Sequence, residues 1–215
     1  MHTVRIDIVS DVVCPWCIIG FKRLERALSS LESSISADIH WHPFELNPAM
    51  APEGQNLREH IQEKYGTSEE ASIAARQTLT QLGQEVGFRF EFYDQMRIYN
   101  TRKAHQLLLW AQSEEKQMEL EMALFAAYFT DQLDVSDEKV LIECAAKVGL
   151  DPQVAQHIIH DQSWADAVAA TEQQWLEAGI NAVPAIIINQ KHLISGAQTA
   201  ERLVEAIEQI VEAEG

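Results

Sequence analysis

Cys14 and Cys17 stand three positions apart in the stretch Ser10, Asp11, Val12, Val13, Cys14, Pro15, Trp16, Cys17, Ile18, Ile19, Gly20, between an apolar strand pattern and a helical one. Residues i and i+3 share a face of a helix, so the two sulfurs can meet and close a small reversible disulfide ring. Pro15 falls in the first turn, where its missing N–H breaks no helical bond and its fixed φ suits helix entry. Cys14 then sits at the mouth of the helix. Free backbone N–H groups and the positive end of the dipole favour a thiolate there over a thiol. A cysteine so placed has its pKa lowered from about 8.5 into the 3.5–7.5 range, and the thiolate is the reactive form. The spacing predicts Cys14 as the attacking sulfur and Cys17, one turn deeper, as the resolving one.

A Cys-x-x-Cys pair is also half of a zinc site, which needs a second pair of Cys or His ligands. The remaining cysteine, Cys144, stands alone in an apolar helical pattern and reads as a small buried hydrophobe. His40 and His42 share a strand face but are interleaved by Trp41 and Pro43. No metal is expected, and the dithiol reading prevails.

A second group of residues bears on the same chemistry. Pro184 directly precedes the apolar run AIIIN at 185–189. A proline suits the first residue of a strand, and a trans bond serves that purpose. A cis X–Pro bond costs only about 0.5–1 kcal/mol; at Val183–Pro184 it would leave the Val183 N–H and C=O free to pair with an extended substrate across from Cys14. Trp16 either shields the disulfide and offers substrate a flat apolar contact, or packs at a domain junction. Asp11 stands where a carboxylate would relay a proton, but Asp just before a helix is more often a turn or cap residue. His105, among Leu107, Leu108 and Trp110, reads as a core or interface histidine. The tryptophans and the aromatic segment Phe88–Tyr99 are read as core, with some lining a cleft.

The elements that must position these residues follow from periodicity. Val4, Ile6 and Ile8 alternate with Arg5 and Asp7, which predicts a first strand. Ile18, Phe21, Leu24, Leu28, Leu31 and Ile35 recur at helical spacing, which predicts an amphipathic helix over 15–33. A strand over 38–44 follows, and a strand–helix–strand crossover makes the two strands parallel. Residues 43–52 (PFELNPAMAP) read as a linker. Helices are then predicted over 57–65, from a Thr67/Glu70 capping box to Val86, and over 101–113, 116–132, 137–148, 152–161 and 164–178. The strand period returns over 185–189 and 192–195, and Thr199 caps a last helix. The outline is β-α-β, a helical insertion, then β-β-α: one α/β domain of residues 1–46 plus 179–215, split by a helical domain of 47–178.

The totals bound the function. The 215 residues are 47% hydrophobic, enough for a packed core. A formal net charge of −17 argues against nucleic acid and anionic membrane surfaces as partners. The N-terminus runs straight into a strand with no apolar leader pattern, and no apolar run is long enough to span a bilayer, so a cytoplasmic location is expected. Three cysteines in a reducing compartment point to a catalytic disulfide rather than structural ones. The oligomeric state is not legible.

The segments SDVVCPWCIIG, WHPFELNP with the following AMAPEG, NTRKAHQLLLWA, ALFAAYF, and AVPAIIIN with ISGAQ resemble the thioredoxin superfamily, and within it DsbA-type thiol oxidoreductases of the FrnE-like branch. The resemblance spans nearly the whole chain. It implies a thioredoxin-like fold with an inserted helical domain, a cis Val183–Pro184 bond, and thiol–disulfide exchange at Cys14 and Cys17 on protein or small-molecule substrates. It implies Pro15, Trp16, Val183 and Pro184 as substrate-contacting residues. One departure is Ile18, where the branch often has Tyr. No cofactor is implied, with glutathione a candidate redox partner. Kappa-class glutathione transferases and 2-hydroxychromene-2-carboxylate isomerases carry Ser where this chain has Cys14, which leaves a glutathione-dependent reaction as the alternative. A chaperone-like binding role, with the dithiol vestigial, is the third.

Overall fold

The computed structural model describes residues 2–214. It divides into two compact units, Met1–Phe44 with Thr171–Gly215, and Glu45–Ala170.

The first unit is built on a four-stranded sheet. Strand β1 (His2–Ser10) is apolar and buried from Ile6 onward except for Asp7 and Ser10, which are buried but polar. Helix α1 (Pro15–Ser30) follows, then β2 (Ile35–Pro43), which pairs in parallel with β1 from His2 opposite Ile35 to Ser10 opposite Pro43. α1 ends three residues short of its predicted limit. Ser34 and Ile35 both donate to the Leu31 carbonyl, turning the chain directly into β2. β2 accordingly starts three residues before its predicted position, with Ile35 buried at its outer end.

Strand β5 (Ala185–Ile188) lies antiparallel to β1, and β6 (His192–Ser195) antiparallel to β5, which gives the order β2-β1-β5-β6. β5 is buried along its whole length, as a short β-branched run between two neighbours should be. Helix α9 (Ala200–Glu214) packs against α1. Side chains alternate across a strand, and the flanking helices follow that alternation. Phe21 of α1 meets Trp41 with ring centroids 4.9 Å apart, while Trp175 of the last turns of α8 (Ala165–Glu177) meets the neighbouring His42 at 4.9 Å. α1 and the end of α8 thus cover opposite faces.

The second unit is helical: α2 (Leu57–Tyr65), α3 (Glu69–Val86), α4 (Arg102–Ser113), α5 (Gln117–Phe129), α6 (Glu138–Lys147), α7 (Pro152–Asp161) and the start of α8. α3 is capped by Ser68, whose hydroxyl accepts from the Ala71 N–H at 3.2 Å. The predicted capping residue, Thr67, stands one position too early for that reach. Two strands of two residues, β3 (Gln55–Asn56) and β4 (Arg97–Ile98), pair antiparallel, the first between the predicted linker and the helix over 57–65 and the second inside the aromatic segment; neither was predicted. The aromatic segment is core here. Phe88, Phe90 and Phe92 surround Phe129 at centroid distances of 5.1–6.4 Å. Among the described residues no helix is long and apolar enough to cross a membrane.

Candidate active site

Cys14 is the N-cap of α1, with extended backbone (φ −93°, ψ 110°), and Pro15 occupies the first helical position. The turn is tied by two backbone bonds: Cys14 N–H to the Asp11 carbonyl at 2.9 Å, and Cys17 N–H to the Cys14 carbonyl at 3.1 Å. The geometry follows from the sequence locally. Pro15 cannot donate and pre-sets the helical φ, so the helix starts there and the residue before it becomes the cap. No side chain caps this end, so the first free N–H groups are turned toward the Cys14 position.

Both cysteines are free thiols. Cys14 is 4% exposed and Cys17 fully buried. Burial pushes the Cys17 thiol well above its ordinary range. The adjoining Cys14 sulfur raises it further, while Ser10 and the Asp11 backbone oppose the rise. The two sulfurs are thus unequal: one at the mouth of the helix, one sealed a turn beneath it and held as a thiol.

The Cys14 thiol donates to the Val183 carbonyl at 3.9 Å. That carbonyl is therefore engaged by the thiol, whereas the sequence reading left it free. Val183 is half-buried and Pro184 buried, and the bond between them is cis. Pro184 lies against α1 at Gly20, where an added Cβ would stand 3.2 Å from the proline Cγ. Trp16 is 43% exposed and Pro15 half-buried, so both stand at the open side of the pair. Asp11 is fully buried, and its backbone serves the turn.

Of the other residues singled out by sequence, His105 and Cys144 belong to the helical unit, buried in α4 and α6. Burial raises the Cys144 thiol as well. Among the described residues no three His, Cys, Asp or Glu side chains cluster to hold a metal ion.

The periodicity did not point to Asp7. It is fully buried in β1, with its Oδ1 2.7 Å from His42 Nε2 and 2.6 Å from Arg5 Nη2. Burial alone would raise its carboxyl. The bonds from His42 and Arg5 outweigh that and hold it at about 2. The available signal was an acidic residue inside an otherwise apolar strand together with a histidine on the parallel neighbour. Gly20 was likewise missed as a contact residue, because nothing local shows what a helical glycine faces.

A family model, the DSBA-like thioredoxin domain, matches residues 5–208. YwbO of Bacillus subtilis (strain 168), an uncharacterized protein, is 25% identical over 206 residues, covering 95% of this chain and 96% of that one. Among solved structures, a probable DsbA oxidoreductase from Streptomyces coelicolor is 29% identical with a TM-score of 0.89, over 96% of this chain and 89% of the other. The cytosolic disulfide reductase DsbM from Pseudomonas aeruginosa, solved with GSH, shares the fold at 14% identity, with a TM-score of 0.63 and 98% coverage of each chain.

Proposed function

The chain belongs to the DSBA-like thioredoxin domain family, and from that membership we propose that it is a thiol–disulfide oxidoreductase whose working group is the Cys14–Cys17 pair. One observation carries the reading: a Cys14 sulfur at the mouth of α1 with a fully buried Cys17 one helical turn below it. In the oxidising direction a substrate thiolate attacks the Cys14 sulfur of the Cys14–Cys17 disulfide. The S–S bond breaks, and Cys17 leaves as a thiolate and takes a proton. A second substrate thiolate then attacks the substrate sulfur of the mixed disulfide, and Cys14 departs. The reducing direction runs these steps backwards, with Cys14 attacking and Cys17 resolving. The balance between them is set by the reduction potential of the pair against its surroundings.

Val183 supports the substrate end of this scheme. Its carbonyl already faces the Cys14 sulfur, and an extended polypeptide substrate pairs with the Val183 backbone while Trp16 gives it an apolar face. Glutathione is the small thiol that exchanges with the pair, in a cytoplasmic setting. A Ser at position 14 would leave glutathione chemistry without a cycling disulfide; the two sulfurs present here favour exchange. The test is Cys14→Ser in insulin reduction and in oxidation of a reduced dithiol peptide. Loss of both activities to the uncatalysed rate supports the reading, and activity that survives the change overturns it.

A further inference from the structure

Two contacts hold the Val183–Pro184 segment in place, and a third ties the neighbouring Ala197 to α1. Gly20, in the second turn of the helix, is buried, and a Cβ built on it would meet Pro184 Cγ at 3.2 Å, the Ala197 Cα at 3.4 Å and the Ala197 Cβ at 3.5 Å. Carbon atoms pack best at about 3.5–4.0 Å, so any side chain at position 20 pushes the proline ring and the Ala197 backbone outward. The Gly196 N–H donates to the Pro184 carbonyl at 2.9 Å. The Arg23 guanidinium, one helical turn beyond Gly20, donates to the Ala197 carbonyl at 2.8 Å. Glycine weakens a helix relative to alanine, and the close approach of two separate segments accounts for it here. The same segment ends on the Val183 carbonyl that meets the Cys14 sulfur at 3.9 Å.

We propose that Gly20 is a positioning residue for the exchange reaction, seconded by Arg23: the bare Cα admits Pro184 and Ala197 to the helix surface and so sets the gap between the Cys14 sulfur and the Val183 backbone. This rests on the exchange reading given above and deepens it, because that gap matters only for a substrate long enough to lie along Val183. A small disulfide needs the Cys14 sulfur alone. An extended peptide disulfide needs the sulfur and the Val183 backbone at a fixed separation. Gly20 therefore acts on substrate class rather than on sulfur reactivity.

The test compares two substrates, an aromatic small-molecule disulfide and a disulfide-linked extended peptide, in wild type and Gly20→Ala, with reduced glutathione returning the Cys14–Cys17 disulfide to the dithiol after each turnover. In Gly20→Ala, kcat/KM for the peptide is expected to fall about tenfold, carried by KM, while the small disulfide stays within about twofold. Equal loss with both substrates, or no loss with either, overturns the proposal. Arg23→Gln, on a half-exposed side chain, keeps it testable should Gly20→Ala not fold. The same bias of about threefold against the peptide supports it, and equal rates overturn it. The functional reading is scored separately, by whether wild-type exchange disappears in Cys14→Ser. A wild type inert toward both substrates sinks that reading and this proposal together, whereas a Cys14-dependent wild type with no substrate bias in the variants sinks this proposal alone.

Discussion

Asp7 and His42 face each other across the parallel strands β1 and β2, with Oδ1 2.7 Å from Nε2 inside the sheet and the carboxylate closed off on its other side by Arg5 at 2.6 Å. A carboxylate with no exposure survives in an apolar strand only because both charges or donors are within hydrogen-bond reach. Held at about 2 against an ordinary 3.8, the group is worth about 2 kcal/mol of stability. A depressed acid contributes fully above its unfolded value and loses the contribution as pH falls toward its folded one. The stability of the wild type should therefore fall between about pH 4 and pH 2. Asp7→Asn should cost about 2 kcal/mol at pH 7 and flatten that acid limb, as read by urea titrations across the pH range. A variant with an unchanged acid limb would contradict the assignment.

The thiols should label in a set order. Cys17 is raised far above an ordinary thiol by burial and by the Cys14 sulfur, and Cys144 is raised by burial. Native alkylation at pH 7 followed by mass mapping is expected to find Cys14 modified first, with Cys17 and Cys144 labelled only after unfolding. The raised Cys17 also gives a sign for alkaline pH. The folded state prefers the thiol, so its contribution is complete below the usual value near 9.0 and is lost as pH climbs beyond it. The reduced protein should lose stability above about pH 9, and Cys17→Ala should lessen that loss.

Gly83 offers a test of the helical unit alone. A Cβ there would lie 2.5 Å from Phe90 Cδ2 and 2.6 Å from the Phe88 carbonyl oxygen, one of them a backbone atom that cannot yield cheaply. Gly83→Ala should destabilise by about 1–3 kcal/mol despite the better helix former. Equilibrium unfolding followed by tyrosine and tryptophan fluorescence checks it, and a neutral or stabilised variant would show that α3 can move off the aromatic segment.

Trp16 stands 43% exposed beside the pair. Removing it should leave stability within about 0.5 kcal/mol, as for other surface positions. Rates toward the peptide disulfide should drop severalfold if the indole is a substrate contact. A large loss of stability in Trp16→Ala would instead mark it as packing.

The parts of this fold that could be read from the chain are those punctuated locally. Gly66 and Gly87 adopt left-handed backbone at the ends of α2 and α3, Asp151 and Pro152 open α7, and Cys14 and Pro15 open α1. Each is a residue whose chemistry stops or starts a helix without help from elsewhere. The one-position error at Ser68 shows the limit of that rule, since two adjacent hydroxyls carry the same signal and only geometry chooses between them. What stayed hidden depends on partners distant in sequence. Asp7 is explained by His42, Gly20 by Pro184 and Ala197, and β3 by β4. None of these pairings leaves a period in the chain. Within the site, periodicity and spacing reached Cys14 and Cys17 because they are neighbours on one turn; Val183 and Pro184, 169 residues away from Cys14 in the case of Val183, were assigned to it only through the family resemblance.

The sheet order has a consequence for how the molecule is made. β1 leaves the ribosome early and can pair with β2 through α1, but its other side belongs to β5, at Ala185–Ile188. At about 5–20 residues per second, the intervening chain takes on the order of ten seconds to emerge. Throughout that interval the nascent protein carries an uncovered edge of Ile6, Ile8 and Val9, together with a sulfur nucleophile whose facing carbonyl has not yet been synthesised. The reactive group is born before the segment that restrains it.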